Sequence, residues 1–274
     1  MNIPHLFEAK NIMAGYEKKI IIEDINLTIP SNCISVIIGA NACGKSTLLK
    51  TLARLIQPYS GDILLDYKKI HEYVPKQLAK ILGLLPQSPI VPEGITVGDL
   101  VSRGRFPYQS FFTGLTKKDL MAIEEAMEIM GISHLANQCV DELSGGQRQR
   151  VWISMALAQQ TDILLLDEPT TFLDISYQIE ILDLLAELNR KRGTTIVMVL
   201  HDINLSARYA DRIFALHKGK LIAEGSPSEI LTEDLIRQVF NLESIIIKDP
   251  LYGSPMVIPK GRQILSICAE EEWV

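Results

Sequence analysis

The segment Gly39-Ala40-Asn41-Ala42-Cys43-Gly44-Lys45-Ser46-Thr47 places a lysine, a serine and a threonine behind two glycines spaced Gly-x-x-x-x-Gly. Such a frame binds phosphate when a strand precedes it and a helix follows, because successive backbone N–H groups converge at the positive end of the helix dipole. Both flanks are present, as the apolar run Ile34–Ile38 and the helical spacing of Leu48, Leu49 and Leu52. In that frame Lys45 reaches the β- and γ-phosphates of a nucleotide such as ATP, and Ser46 holds Mg2+. A second cluster follows Ile163-Leu164-Leu165-Leu166, whose end delivers Asp167 and Glu168 to the edge of a sheet. Asp167 suits the metal shell, and Glu168 suits a base or orienter for attacking water. Further along, Leu143-Ser144-Gly145-Gly146-Gln147 stands before a helical pattern carrying Trp152, Ile153, Ala156 and Leu157. Ser144 with the N–H groups of Gly145 and Gly146 forms a second anion site there. His201 stands just past a strand-like run, Ile196–Leu200.

These residues need a scaffold that brings several strand ends to one edge. The apolar runs Ile34–Ile38, Ile81–Leu85, Ile163–Leu166, Ile196–Leu200 and Ile213–Leu216 alternate with helical patterns, which predicts an α/β fold with a mainly parallel sheet. Between Ile38 and Ile163 the chain is too long for one crossover, and it carries a loop-rich part at 86–94 and helical patterns at Thr96–Arg103 and Thr116–Met130. An inserted helical subdomain is expected there. The first thirty residues and Gly61–Asp66 read as antiparallel strands forming a small β layer beside the nucleotide. Ser226-Pro227-Ser228-Glu229 is a helix start, and after Phe240 short β-like runs at Ile245–Lys248 and Met256–Ile258 read as an appendage.

Composition narrows the class. With 27 basic against 33 acidic side chains, the net charge of −6 argues against a general nucleic-acid surface. Cys33, Cys43, Cys139 and Cys268 lack metal-site or disulfide-framework spacing, which fits a reducing compartment. No secretory signal is expected at the start, and no apolar run approaches the roughly 20 residues of a membrane span.

With Leu143–Gln147 set between the phosphate loop and Asp167-Glu168, the chain resembles the ABC ATPases over approximately residues 6–240. The resemblance implies the P-loop NTPase fold of that family: a mainly parallel core sheet, an antiparallel β layer and an inserted α-helical subdomain at about 88–160. On this reading the ATPase domain spans 1–240 and the appendage 241–274. It also implies roles for further residues. Gln87 resembles the glutamine that senses metal and attacking water, Asp174 the aspartate at the dimer seam, His201 the switch histidine on the γ-phosphate, and Tyr16 the aromatic that stacks on adenine. Lys45, Gln87, Glu168 and His201 are thus the implied catalytic residues, and Ser46, Gln87 and Asp167 the implied metal shell. Nucleotide contacts are implied for Tyr16, Gly39, Asn41, Gly44, Lys45, Ser46 and Thr47, and also for Ser144, Gly145, Gly146, Gln147 and Asp174.

One P-loop and one signature segment cannot face the same nucleotide within one chain, so the resemblance implies two copies head-to-tail around two ATP molecules. It further implies transmembrane permease subunits, which dock a short helix in a groove of the inserted helical subdomain near Gln87, and, indirectly, an extracytoplasmic substrate-binding protein. The place implied is peripheral, at the cytoplasmic face of a bacterial membrane, without nucleic acid. The segment Thr96–Tyr108, the stretch Leu143–Trp152 and the tail from Lys248 to Pro259 look like the ATPases of iron-chelate importers, particularly those for ferric hydroxamate siderophores. Haem and cobalamin importers are the alternative. A DNA-repair ABC ATPase would need a long coiled coil between the two nucleotide motifs, and a translation factor a second cassette. A P-loop kinase would leave Leu143–Gln147 and His201 unexplained.

Two local expectations concern the loop itself. Ala40 and Ala42 stand where relatives have Pro and Gly, and Ala42 lacks the access of glycine to positive φ, which predicts weaker nucleotide binding or slower turnover. Cys43, beside Lys45 near a helix start, is expected to have a lowered thiol pKa, so that alkylating it blocks ATP binding.

Overall fold

The computed structural model describes residues 3–87, 93–110, 114–171 and 173–261. Residues 88–92 of the loop-rich part, and 262–274 of the appendage with Cys268, lie outside them.

Five parallel strands carry the site: β3 (Ile34–Ile38), β6 (Leu82–Leu85), β7 (Ile163–Asp167), β8 (Thr195–Val199) and β9 (Arg212–His217). They lie in the order β9-β3-β8-β7-β6, and β10 (Lys220–Gly225) closes the sheet antiparallel to β9. β3, β7 and β8 are buried along their whole length, which is why they read as continuous apolar runs. Alternation still sorts their side chains by face. Val36, Ile38, Leu164, Leu166, Ile196 and Met198 enter one core, while Ile37, Leu165, Val197 and Val199 enter the other.

The second core is closed by α1 (Lys45–Leu52) and by an antiparallel sheet of β1 (Phe7–Tyr16), β2 (Lys19–Ile29), β4 (Ser60–Leu65) and the two-residue β5 (Lys68–Lys69), ordered β2-β1-β4-β5. The larger core is closed by α3 (Val97–Ser102), α4 (Lys117–Ile129), α5 (Gly145–Ala158), α6 (Ile175–Arg192), α7 (Ile203–Tyr209) and α9 (Glu233–Phe240). Capping boxes Thr116/Asp119 and Ser144/Gln147 start α4 and α5. Ser226/Glu229 makes the same device, but the helix it opens, α8 (Pro227–Ile230), runs only four residues. The strand expected at Ile81–Leu85 begins one residue later, because Pro75 starts α2 (Pro75–Ile81), and that helix ends on Ile81. After α9, β11 (Ser244–Lys248) and β12 (Pro255–Pro259) pair as an antiparallel hairpin. Among the described residues no helix is long and apolar enough to cross a membrane.

Arg105 is 1% exposed and joins three elements. Its Nε donates to Asp119 Oδ1 at 2.9 Å, its Nη1 donates to Ala158 O at 2.7 Å, and its guanidinium lies 3.8 Å from the Tyr108 ring centroid. Asp119 is also buried, so removing the arginine strands a charge in a dry site. Arg105→Met is expected to lower the unfolding free energy by about 3–5 kcal/mol in urea denaturation.

Candidate functional site

The ends of β3, β6, β7 and β8 converge, and the loop from β3 into α1 lies over them. Gly39 has φ 154° and an added Cβ there would sit 2.4 Å from Leu216 O, so β9 forbids any side chain. Gly44, at φ 108°, is equally blocked by Ile22. Ala42 adopts φ 60°, the left-handed conformation that its sequence position demands and that costs a non-glycine residue about 1–2 kcal/mol. Lys45 is buried, and its Nζ donates to Gly39 O at 2.9 Å and Ala40 O at 3.1 Å.

Ser46 Oγ donates to Asp167 Oδ1 at 2.9 Å. Asp167 Oδ2 is buried with no hydrogen-bond partner among the protein atoms, an orphan that a cation or its water would satisfy. Burial pushes the Asp167 carboxyl up, and the Ser46 hydroxyl opposes that shift. Among the described residues no group of three or more His, Cys, Asp or Glu could hold a metal alone. A serine hydroxyl plus one carboxylate suits a hard cation that completes its shell from phosphate and water.

Glu168 is buried at φ 55°, takes two donors and faces a histidine. Gln87 Nε2 donates to its Oε2 at 2.6 Å and Thr171 Oγ1 to the same oxygen at 3.0 Å, while His201 Nε2 lies 2.6 Å from Oε1. Tyr16, Asn41, Ala42, the residues from Gly44 to Thr47, Gln87, Glu168 and His201 all line one cleft of about 450 Å³. Tyr16, at the turn from β1 to β2, is half exposed at its mouth. The arrangement can bind an anionic chain along the loop and hold a water against Glu168.

Ser144, Gly145, Gly146, Gln147 and Asp174 do not line that cleft. Ser144 caps α5 by accepting from Gln147 N, and Gln147 Oε1 accepts from Ser144 N at 3.0 Å. Gly145 faces open space, whereas Gly146 faces Leu173 and Tyr177. Asp174 caps α6, and the Tyr177 N–H and Ser176 hydroxyl hold its carboxyl below the usual range.

Two positions escape a reading by motif. Thr171 reaches back three residues to Glu168, a local Ser/Thr hydrogen bond that the spacing permits without announcing. Gln149 Nε2 donates to Pro169 O at 2.8 Å, tying α5 to the loop after Glu168.

The expectation for Cys43 is corrected. The residue is buried, and burial pushes its thiol up by more than the nearby Lys45 lowers it. Maleimide at neutral pH is therefore expected to modify partly exposed Cys139 ahead of Cys43, with ATP binding retained while Cys43 stays unlabelled; peptide mass mapping checks the order.

Residues 22–171 match the ABC transporter family. The chain is 51% identical over 253 residues to a siderophore transport system ATP-binding protein of Bacillus subtilis, covering 92% of each chain. It is likewise 51% identical over 253 residues to the ferric enterobactin transport ATP-binding protein of Escherichia coli, covering 92% of this chain and 93% of that one. To the iron(3+)-hydroxamate import ATP-binding protein of Bacillus subtilis it is 48% identical, covering 89% and 91%. Among solved structures, an inward-facing metal-chelate type ABC transporter superposes with TM-score 0.81 at 27% identity, covering 94% of this chain and 98% of that one. A dimeric bacterial ABC transporter cassette superposes with TM-score 0.71 at 30% identity, covering 80% and 98%.

Proposed function

The chain belongs to the ABC transporter family, and on that premise we propose that it is the ATP-hydrolysing subunit driving import of a ferric siderophore through a separate membrane permease. The observation that carries the cargo is the identity of about half of all residues, over nine-tenths of each chain, to ATPases named for siderophore transport. Those names favour siderophore over haem or cobalamin, and they include ferric enterobactin as well as iron(3+)-hydroxamate, so the hydroxamate class is not singled out. Choice among chelates belongs to the permease and binding protein.

In the proposed mechanism Tyr16 stacks on adenine, and the loop N–H groups with Lys45 cradle the phosphates. Ser46 and Asp167 would hold Mg2+, with Gln87 beside it, and the ion would supply charge neutralisation for the phosphates. Glu168 accepts the proton of the attacking water while Gln87 and Thr171 fix the carboxylate. His201, 2.6 Å from Glu168, places an N–H donor where charge develops on the γ-phosphate.

Ser144, Gly145, Gly146, Gln147 and Asp174 stand outside the cleft, and a relative of this fold is solved as a dimer. These five residues complete the site of a second copy, head-to-tail, so ATP joins the two chains and its hydrolysis releases them. For the permease, an apolar groove of about 300 Å³ lies between the end of α1 and α2, lined by Ala53, Leu55, Pro75, Leu78, Ala79 and Leu82. α2 leads through β6 to Gln87, so a permease helix seated there acts on the catalytic cluster directly. Hydrolysis of Mg-ATP by the purified chain assembled with its permease tests this reading. No turnover in that assembly would contradict it.

A further inference from the structure

The hairpin β11–β12 is tied to both ends of α7. Near the start of the helix, the Asn204 carboxamide pairs with the open edge of β12: Val257 N donates to Asn204 Oδ1 at 2.7 Å, and Asn204 Nδ2 donates to Val257 O at 3.2 Å. Near its end, Arg208 Nη2 donates to Asp249 Oδ2 at 2.9 Å, and its guanidinium lies 4.2 Å from the Tyr252 ring centroid. Asp249 is buried and already fixed, since its Oδ1 accepts from Leu251 N at 2.8 Å and Tyr252 N at 3.2 Å. Arg208 therefore grips a preset carboxylate. Val257 is itself 4% exposed and part of the larger core, so the hairpin is seated and not merely adjacent.

α7 begins two residues after His201, and Asp202 caps it by accepting from Asn204 N at 2.8 Å and Leu205 N at 2.9 Å. A helix of seven residues does not hold its own place; packing and side-chain ties set it. On the other side Val199 is locked in the parallel sheet. His201 thus sits in the short link between a fixed strand and a helix that the hairpin grips near both ends. The Tyr209 hydroxyl adds one tie to Asp183 of α6 at 2.8 Å, but no tie except the hairpin's grips α7 at both Asn204 and Arg208 among the hydrogen bonds described.

We propose that the C-terminal hairpin is a strap that holds α7, and through it His201, in register with Glu168, with Asn204 and Arg208 as positioning residues. The inference rests on His201 taking part in hydrolysis. A polar contact of 2.6 Å weakens on displacement, so a small rotation of α7 lowers the rate without touching the nucleotide loop.

The test compares Asn204→Ala, Asp249→Asn and His201→Ala in the full-length chain assembled with its permease, by steady-state Mg-ATP turnover and by nucleotide binding. Asn204→Ala and Asp249→Asn are each expected to lower kcat about 3- to 30-fold with KM and nucleotide Kd unchanged, and to add nothing to the residual single-turnover rate of His201→Ala. Wild-type kcat in both hairpin variants, losses that persist in the His201→Ala background, or losses that track weaker nucleotide binding would each overturn the strap. His201→Ala turning over at the wild-type rate would instead overturn the role of His201, and the strap with it. Intact nucleotide binding shows that a slow variant is folded.

Discussion

Glu168→Gln is expected to lower ATP turnover by about 10²- to 10⁴-fold while leaving ATP binding intact. The carboxylate is buried, accepts from Gln87 and Thr171 at one oxygen and faces His201 at the other. An amide of the same shape keeps one acceptor but turns an N–H2 group toward former donors, and it cannot take a proton from water. Binding survives because Lys45 and Ser46 open α1 and the loop backbone joins β3 to α1, apart from Glu168, which follows the end of β7. With the chemistry stalled and the nucleotide bound, the two-copy closed state should accumulate. Turnover, equilibrium nucleotide binding and light scattering in ATP read all three effects. A variant with near wild-type turnover, or one that stays monomeric with ATP and its permease, would contradict the assignment.

Lys45→Ala is expected to weaken ATP binding by roughly 30- to 5000-fold, corresponding to about 2–5 kcal/mol for losing one partner of a desolvated charge pair. The ammonium is buried in the loop and donates to Gly39 O and Ala40 O, so alanine removes both the phosphate's cation and the donor that organises two carbonyls. Fluorescent-nucleotide titration measures the loss; a Kd within about threefold of wild type would contradict the role of Lys45. The two variants separate binding from chemistry, since one removes the ligand and the other retains it.

The loop, the placing of the motifs at strand ends and the β layer were legible because each rests on local chemistry. Gly39 and Gly44 take the positive φ that the glycine spacing of the loop announces, and β3, β7 and β8 are apolar runs because both faces of the sheet are covered. What depends on distant packing was not legible. The thiol of Cys43 was misread because its neighbour Lys45 is visible in the sequence and its burial is not. Arg105 carries no signal of burial in the sequence, and the contacts of its guanidinium with α4 and α5 make it a buried hub. Thr171 meets a Glu168 whose backbone is left-handed, and Asn204 meets Val257 across 53 residues of chain.

Uptake of a labelled ferric siderophore by cells lacking this gene, complemented with the wild-type chain or with Lys45→Ala, tests the central claim most directly. Uptake lost with the gene and restored by the wild-type chain alone is the predicted result. Undiminished uptake in cells without the gene, or full restoration by Lys45→Ala, would contradict an ATP-driven role in siderophore import.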